Sequence, residues 1–398
     1  MTSIRSPTSA APDKNNPAEI RSLAGARAIP PLLLVLYHYH EGHGYQHLRA
    51  FDVFVAKGYL WVEFFFALSG FVLIHVYGPR MREAWNARGY GRFLKNRLAR
   101  LYPVHLAMLL ILLVMLVVLR ALAAAGGYVS VFDLASYHPH TGAWAFVANL
   151  FLVQAWHIFP WLTWNGVAWF VSAEFFLCLI FPVYLWLSGG GVWRAGLMML
   201  CGFAALYGLA QTSGHGLDIT YDWSIVRGAA DFAIGAGMAM LYRDYAARAA
   251  RLPEFAFTAA QAAIFVLFLY AIYDTGWSHR PEDFWVVPPM LAMILAVAFD
   301  RGAFARALAM RPLRRLGAWS YAVYMGQTVW LMGLRFAEQR LYPHPAPQWR
   351  HAIHIAEPAA LVILATLWGW LLYRAVERPG ARLIRARFSR RPRDMRPA

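Results

Sequence analysis

The chain has 398 residues, of which 60% are hydrophobic and only 15% charged. Ordinary soluble domains are nearer about 45–50% apolar and about 25% charged, so this composition excludes that class and reads as a one-domain, polytopic membrane protein. The formal net charge of +16 is carried almost wholly by arginine, because lysine occurs only at Lys14, Lys57 and Lys95. These cations fall in loops between apolar stretches, where the positive-inside rule puts them, and that placement argues against a nucleic-acid partner.

Residues 1–20 are polar, with Pro12, Asn15, Asn16 and Pro17, and read as a disordered cytoplasmic N-terminus. A membrane-spanning helix needs about 20 largely apolar residues. The candidates in chain order are 24–40, 58–78, 103–125, 143–157, 167–187, 192–211, 224–242, 254–273, 284–300, 316–335 and 353–375. No small-residue cleavage site follows the first, which predicts an uncleaved anchor. The segment before Ala24 is basic, as is the tail from Arg374 with its nine arginines, so both termini are expected in the cytoplasm and the span count must be even. The stretch 143–157 is short and carries Asn149, Gln154 and His157, which predicts a re-entrant or interfacial helix.

The expected fold is therefore all-α: a polytopic helical bundle of ten transmembrane helices, both termini cytoplasmic. The charge map agrees. Arg80, Arg82, Arg88, Arg92, Lys95, Arg97 and Arg100 follow the second span, while 126–166 and 212–223 contain no lysine or arginine and belong outside. The bundle is expected over 21–379, with a basic cytoplasmic tail over 380–398. No internal repeat is visible, so the inverted-repeat plan of many transporters is not indicated. Cys178 and Cys201 lie in apolar runs and read as small core residues.

Ionisable groups inside a span are costly and usually functional. Arg27 and His38 both fall in the first apolar stretch, eleven positions apart. On a continuous helix that is nearly three turns, so the two would share one face about 16 Å apart. Glu63 lies in the second span near its outer end, and antiparallel neighbours would bring it to the depth of His38, where a carboxylate can orient an imidazole. Ser69 and Gly70 read as packing residues. In the run Arg92 to Pro103, Lys95, Arg97 and Arg100 are expected on a short cytoplasmic segment, with Pro103 opening the next span. Arg97 and Arg100 share a helix face, and their fork geometry suits a phosphate clamp. Glu174 is a second buried acid, and Arg227 with Asp231 reads as a self-neutralising i,i+4 pair. The histidines at 38, 40, 43 and 47, with Glu41, match no zinc spacing, so no metal is expected.

Together these blocks resemble the acyltransferase-3 family of membrane-bound O-acyltransferases, from about Leu23 to Pro379. Arg27 and His38 match its Arg, ten residues, His signature. Gly58 to Phe71 matches its glycine-to-LSGF block, with Glu63 where Asp is usual. Arg97 to Pro103, Asn149 to Leu152, Trp169 to Glu174, Gly317 to Tyr324 and Glu377 to Pro379 match later blocks in order. There are departures: Phe170 replaces a small hydroxyl residue, and Gln327 stands where many members carry histidine.

The resemblance implies transfer of an acyl group, acetyl foremost, from acyl-CoA to a hydroxyl of a cell-surface sugar or glycoconjugate such as lipopolysaccharide, at the bacterial inner membrane. It implies that Arg97 and Arg100, with Arg27, bind the CoA phosphates. His38 is the expected general base or transient acyl carrier, with Glu174 or Glu63 orienting it. A transporter or channel for a small anion or acyl carrier would reuse the same buried groups. A non-catalytic polysaccharide-assembly subunit would bind acceptor without turning over CoA.

Overall fold

The computed structural model describes residues 19–43, 49–125, 139–341 and 347–387. Residues 1–18, His47, the stretch 126–138 and the end of the tail, 388–398, lie outside them. Among the described residues the fold is entirely helical, in sixteen α-helices. They are α1 Arg21–Ala26, α2 Ile29–His43, α3 Arg49–Ala56, α4 Trp61–Glu83, α5 Ala87–Ala124, α6 Ala143–Leu150, α7 Trp169–Leu179 and α8 Phe181–Leu187. There follow α9 Val192–Thr212, α10 Ser224–Ala249, α11 Glu254–Thr275, α12 Val287–Ala298, α13 Ala303–Leu308, α14 Arg311–Leu341, α15 Pro347–Leu372 and α16 Arg378–Arg387.

Seven helical stretches are long and apolar enough to cross a membrane. The pair α7 and α8, bent by 55° at Ile180, makes an eighth candidate if it crosses as one broken span. The two spans that separate this number from ten fall on α1–α2 and on α14. The longer piece of the first, α2, has only 15 residues. α14 has 31, but its charge-free middle carries Ser320, Gln327, Thr328 and several Trp and Tyr and is too weakly apolar. The stretch 143–157 forms only the eight-residue α6 followed by turns, in keeping with a segment too short to cross.

Two local expectations are corrected. The first apolar stretch is not one helix: it breaks at Arg27 and Ala28. Pro30 and Pro31 have no N–H to give the carbonyls of Ala26 and Arg27, so they can stand in the first turn of α2 but cannot continue α1. Arg27 and His38 therefore belong to different elements, and the single shared face is lost. Conversely, Pro103 does not open a helix but sits inside the unbroken α5. Its ring packs against Gly380 of α16, where a Cβ would come within 2.6 Å of it.

The core is organised around α4, which packs most extensively on α10. A Cβ on Gly70 would lie 2.2 Å from the Phe232 carbonyl oxygen, and one on Gly235 would lie 1.8 Å from that of Ala67. Only glycine allows this backbone-to-backbone approach. Gly70 is thus the packing residue its sequence context suggested.

Candidate active site

Because α5 runs through Pro103, Arg97 and Arg100 lie on the same rod as the apolar span and face the bundle instead of a separate surface segment. There they meet α4, α7 and α14 around a cavity of about 100 Å³. Arg27, at the break between α1 and α2, completes its set of guanidinium groups, and Ser69, Glu174 and Tyr321 are its other principal polar walls. Arg97 Nη2 donates to Glu174 Oε1 at 2.9 Å, and the Ser69 hydroxyl donates to the same oxygen at 2.9 Å. Arg100 pairs with buried Glu377 and lies over the Tyr321 ring, 5.8 Å from its centroid. Glu377 is presented by a π-helical turn, Tyr373–Glu377, inserted between α15 and α16. Such turns re-aim a side chain and recur at functional sites.

Three guanidiniums thus line the cavity with one carboxylate, Glu174, while Glu377 approaches Arg100 from behind. The surplus is positive and lies in a partly open cavity. Arginine in such a setting is suited to an anion with several oxygens, phosphate above all.

His38 is half-buried on α2 and is not part of that lining. Its Nδ1 lies 3.1 Å from Gln327 Oε1. Gln327 is fully buried on α14, and its amide donates to the Tyr324 carbonyl at 2.9 Å. Tyr324 joins the two places, because its ring forms part of the cavity wall and its hydroxyl donates to the Val167 carbonyl at 2.9 Å.

Neither acid expected beside His38 is there. Glu174 is held by Arg97 and Ser69. Glu63 accepts from Arg227 at 2.9 and 2.7 Å in a bidentate pair. Arg227 spends its other donors on the carbonyls of Ile219, at 2.7 Å, and Tyr59, at 3.1 Å. A planar fork engaged by Glu63 and two carbonyls outcompetes the local i,i+4 contact, so Arg227 and Asp231 share no hydrogen bond and both Asp231 oxygens are buried without a hydrogen-bond partner. Ser69, read as packing, is instead a hydrogen-bond donor to Glu174.

Sequence reasoning missed a second polar cluster near the end of α2. Glu41, Asp218 and His279 bring ligand-type atoms within 4.8 Å of one another. His279 Nε2 lies 3.2 Å from Asp218 Oδ2, and the Tyr37 hydroxyl donates to Glu41 at 2.7 Å. The imidazole is already engaged by the carboxylate, so an ion pair accounts for the cluster without a metal. The Asp218 hydrogen bond holds the His279 imidazole above its ordinary value. Burial works most strongly on Asp218, against its ionisation, but the His279 bond together with the charges of Arg227, His279 and His38 outweighs it and the carboxyl sits below its usual range. Asp218 and His279 stand in turns with no periodic neighbours, so nothing in the chain pattern pairs them.

The fold is an all-helical bundle with membrane-length apolar helices and a cavity walled by three arginines. The chain belongs to the acyltransferase-3 family, whose acyltransferase domain matches residues 20–374, and it is an acyltransferase. It is 27% identical over 350 residues to "Acyltransferase MdmB" of Streptomyces mycarofaciens, covering 82% of each chain. It is also 40% identical over 87 residues to "Protein 2 in picA locus" of Rhizobium radiobacter, covering 22% of this chain and 40% of that one. No solved structure matches it.

Proposed function

We propose that this acyltransferase moves an acyl group, acetyl foremost, from acyl-CoA to a hydroxyl of a cell-surface sugar or glycoconjugate at the bacterial inner membrane. The observation that carries this reading is the cavity walled by Arg27, Arg97 and Arg100. These residues hold the phosphates of the donor, and Glu174 is a positioning residue that fixes Arg97. His38 takes the proton from the acceptor hydroxyl. The freed oxygen attacks the thioester carbonyl, the carbon–sulfur bond breaks, and the imidazolium returns its proton to the departing CoA sulfur. Glu63 has no part in these steps, since Arg227 saturates it. In this reading α1–α2 and α14 cross the membrane with the eight apolar crossings, giving ten spans and cytoplasmic termini that share the donor's side.

The test uses purified protein in detergent with acetyl-CoA. Thioester loss, in step with acetylation of surface glycans detected by mass spectrometry, is the expected result. A transporter would leave the thioester intact, and that outcome would overturn the proposal.

A further inference from the structure

The contact between His38 and Gln327 fixes more than position. A neutral imidazole carries its proton on one nitrogen, and the group bonded to the other side selects which one. Gln327 is an amide, whose oxygen only accepts and whose nitrogen only donates. Its nitrogen is committed to the Tyr324 carbonyl at 2.9 Å, an acceptor that cannot be served by the amide oxygen. The oxygen must therefore face His38 Nδ1, 3.1 Å away, and Nδ1 must carry the hydrogen. The Tyr324 carbonyl is itself well placed. The neighbouring Asn165 amide donates to the Met325 carbonyl at 3.0 Å, Thr328 donates to Asn165 at 2.7 Å, and the Tyr324 hydroxyl reaches Val167. This stretch of α14 is tied to the turn before α7 at three points.

We propose that Gln327 is a positioning residue for acyl transfer: it holds His38 in the tautomer with hydrogen on Nδ1, leaving Nε2 as the basic atom for the acceptor hydroxyl. The inference rests on the reading of His38 as general base. The half-buried His38 ring has no other hydrogen bond within the protein among the described residues, so Nε2 remains available. A histidine at position 327 could switch between donating and accepting, or become charged. Glutamine can do neither, so in this chain the tautomer is set permanently instead of being titrated.

The experiment has two arms. In the first, ring-nitrogen NMR on ¹⁵N-histidine-labelled full-length protein is assigned to His38 by difference from His38→Gln. Hydrogen on Nδ1 is expected in the wild type, and a mixture of tautomers in Gln327→Met, which keeps the chain length but removes the acceptor. Hydrogen on Nε2 in the wild type, or an unchanged tautomer in Gln327→Met, overturns the proposal. The wild-type spectrum decides even if the variant does not fold.

The second arm follows acetyl-CoA consumption. Gln327→Met should lower kcat about 100-fold, the low end of what a positioned base contributes, with KM for acetyl-CoA unchanged. Gln327→Glu, which restores an acceptor, should recover at least about tenfold of that loss. Equal kcat in wild type and Gln327→Met overturns the positioning role. If wild-type and His38→Gln protein consume acetyl-CoA equally, the base assignment fails while the tautomer result stands by itself.

Discussion

Two buried arginine–glutamate pairs stand in this bundle, one joining α4 to α10 and the other α5 to α7, and they behave as opposites. Glu63 and Arg227 are closed to solvent, 0% and 1% exposed, and all three guanidinium nitrogens are hydrogen-bonded. Arg97 and Glu174 are also paired, but Arg97 is 19% exposed, its Nε has no hydrogen bond, and two further arginines share its cavity. The first arrangement is saturated and pins α4 to α10. The second is left short of anions. Charge pairing alone therefore does not separate structure from chemistry; the count of unspent donors does.

The largest effect should come from His38, beside the unsaturated region. His38→Ala should abolish acylation while the protein still inserts and elutes as a single species on size-exclusion chromatography; full activity would remove it from the site. Arg227→Met strikes the saturated pair and should destabilise by about 3–5 kcal/mol, because Glu63 and Asp231 remain buried without a cation. Thermal unfolding checks this, and the double change Arg227→Met with Glu63→Leu should restore much of the loss. Arg97→Gln should instead raise KM for acyl-CoA about tenfold or more and leave the melting temperature nearly unchanged, since Ser69 still donates to Glu174 and Arg27 stays in the same cavity. If Arg97→Gln melts as early as Arg227→Met, the contrast between the regions collapses.

The smallest effect belongs to a third pair, Asp218 with His279, which is partly exposed and lies in loops outside the spans. His279 titrates above its ordinary 6.5, so its contribution is complete below that pH and is lost as pH rises through the raised value. Asp218 titrates below its ordinary 3.8, so its contribution is complete above that pH and fades as pH falls through the lowered value. Hydrogen exchange in 213–223 and 276–280 should be slowest between those two limits and quicken on either side.

Much of this was legible in the chain. Apolar runs located the crossings, because hydrocarbon forces backbone bonds to close within each helix. Glu174 could be marked as a candidate because charges are rare in such runs, and Arg97 and Arg100 because their fork geometry suits a phosphate. Their partners could not, since each lies on a remote helix: Glu377 meets Arg100 across 277 positions, and Gln327 meets His38 across 289. Asn149 shows another limit. Its block was visible, but its work is structural: its amide donates at 2.8 Å to both Ala145 and Thr163, and its carbonyl accepts from His105 at 2.8 Å. The prolines misled in both directions. Pro30 and Pro31 broke a stretch read as continuous, and Pro103 was carried inside one read as ending there, because tertiary packing decides which proline a helix absorbs.

The unbroken length of α5 has a geometric consequence. At about 1.5 Å per residue, the stretch from Val104 to Ala124 rises about 31 Å, the thickness of the hydrocarbon slab. When that half fills the slab, Arg97 and Arg100 stand at the level of the lipid headgroups, a turn or two beyond its edge. If the proposed acyl-CoA is the donor, its charged carrier would dock at the water boundary without entering oil, and only its small acyl end would have to be passed inward.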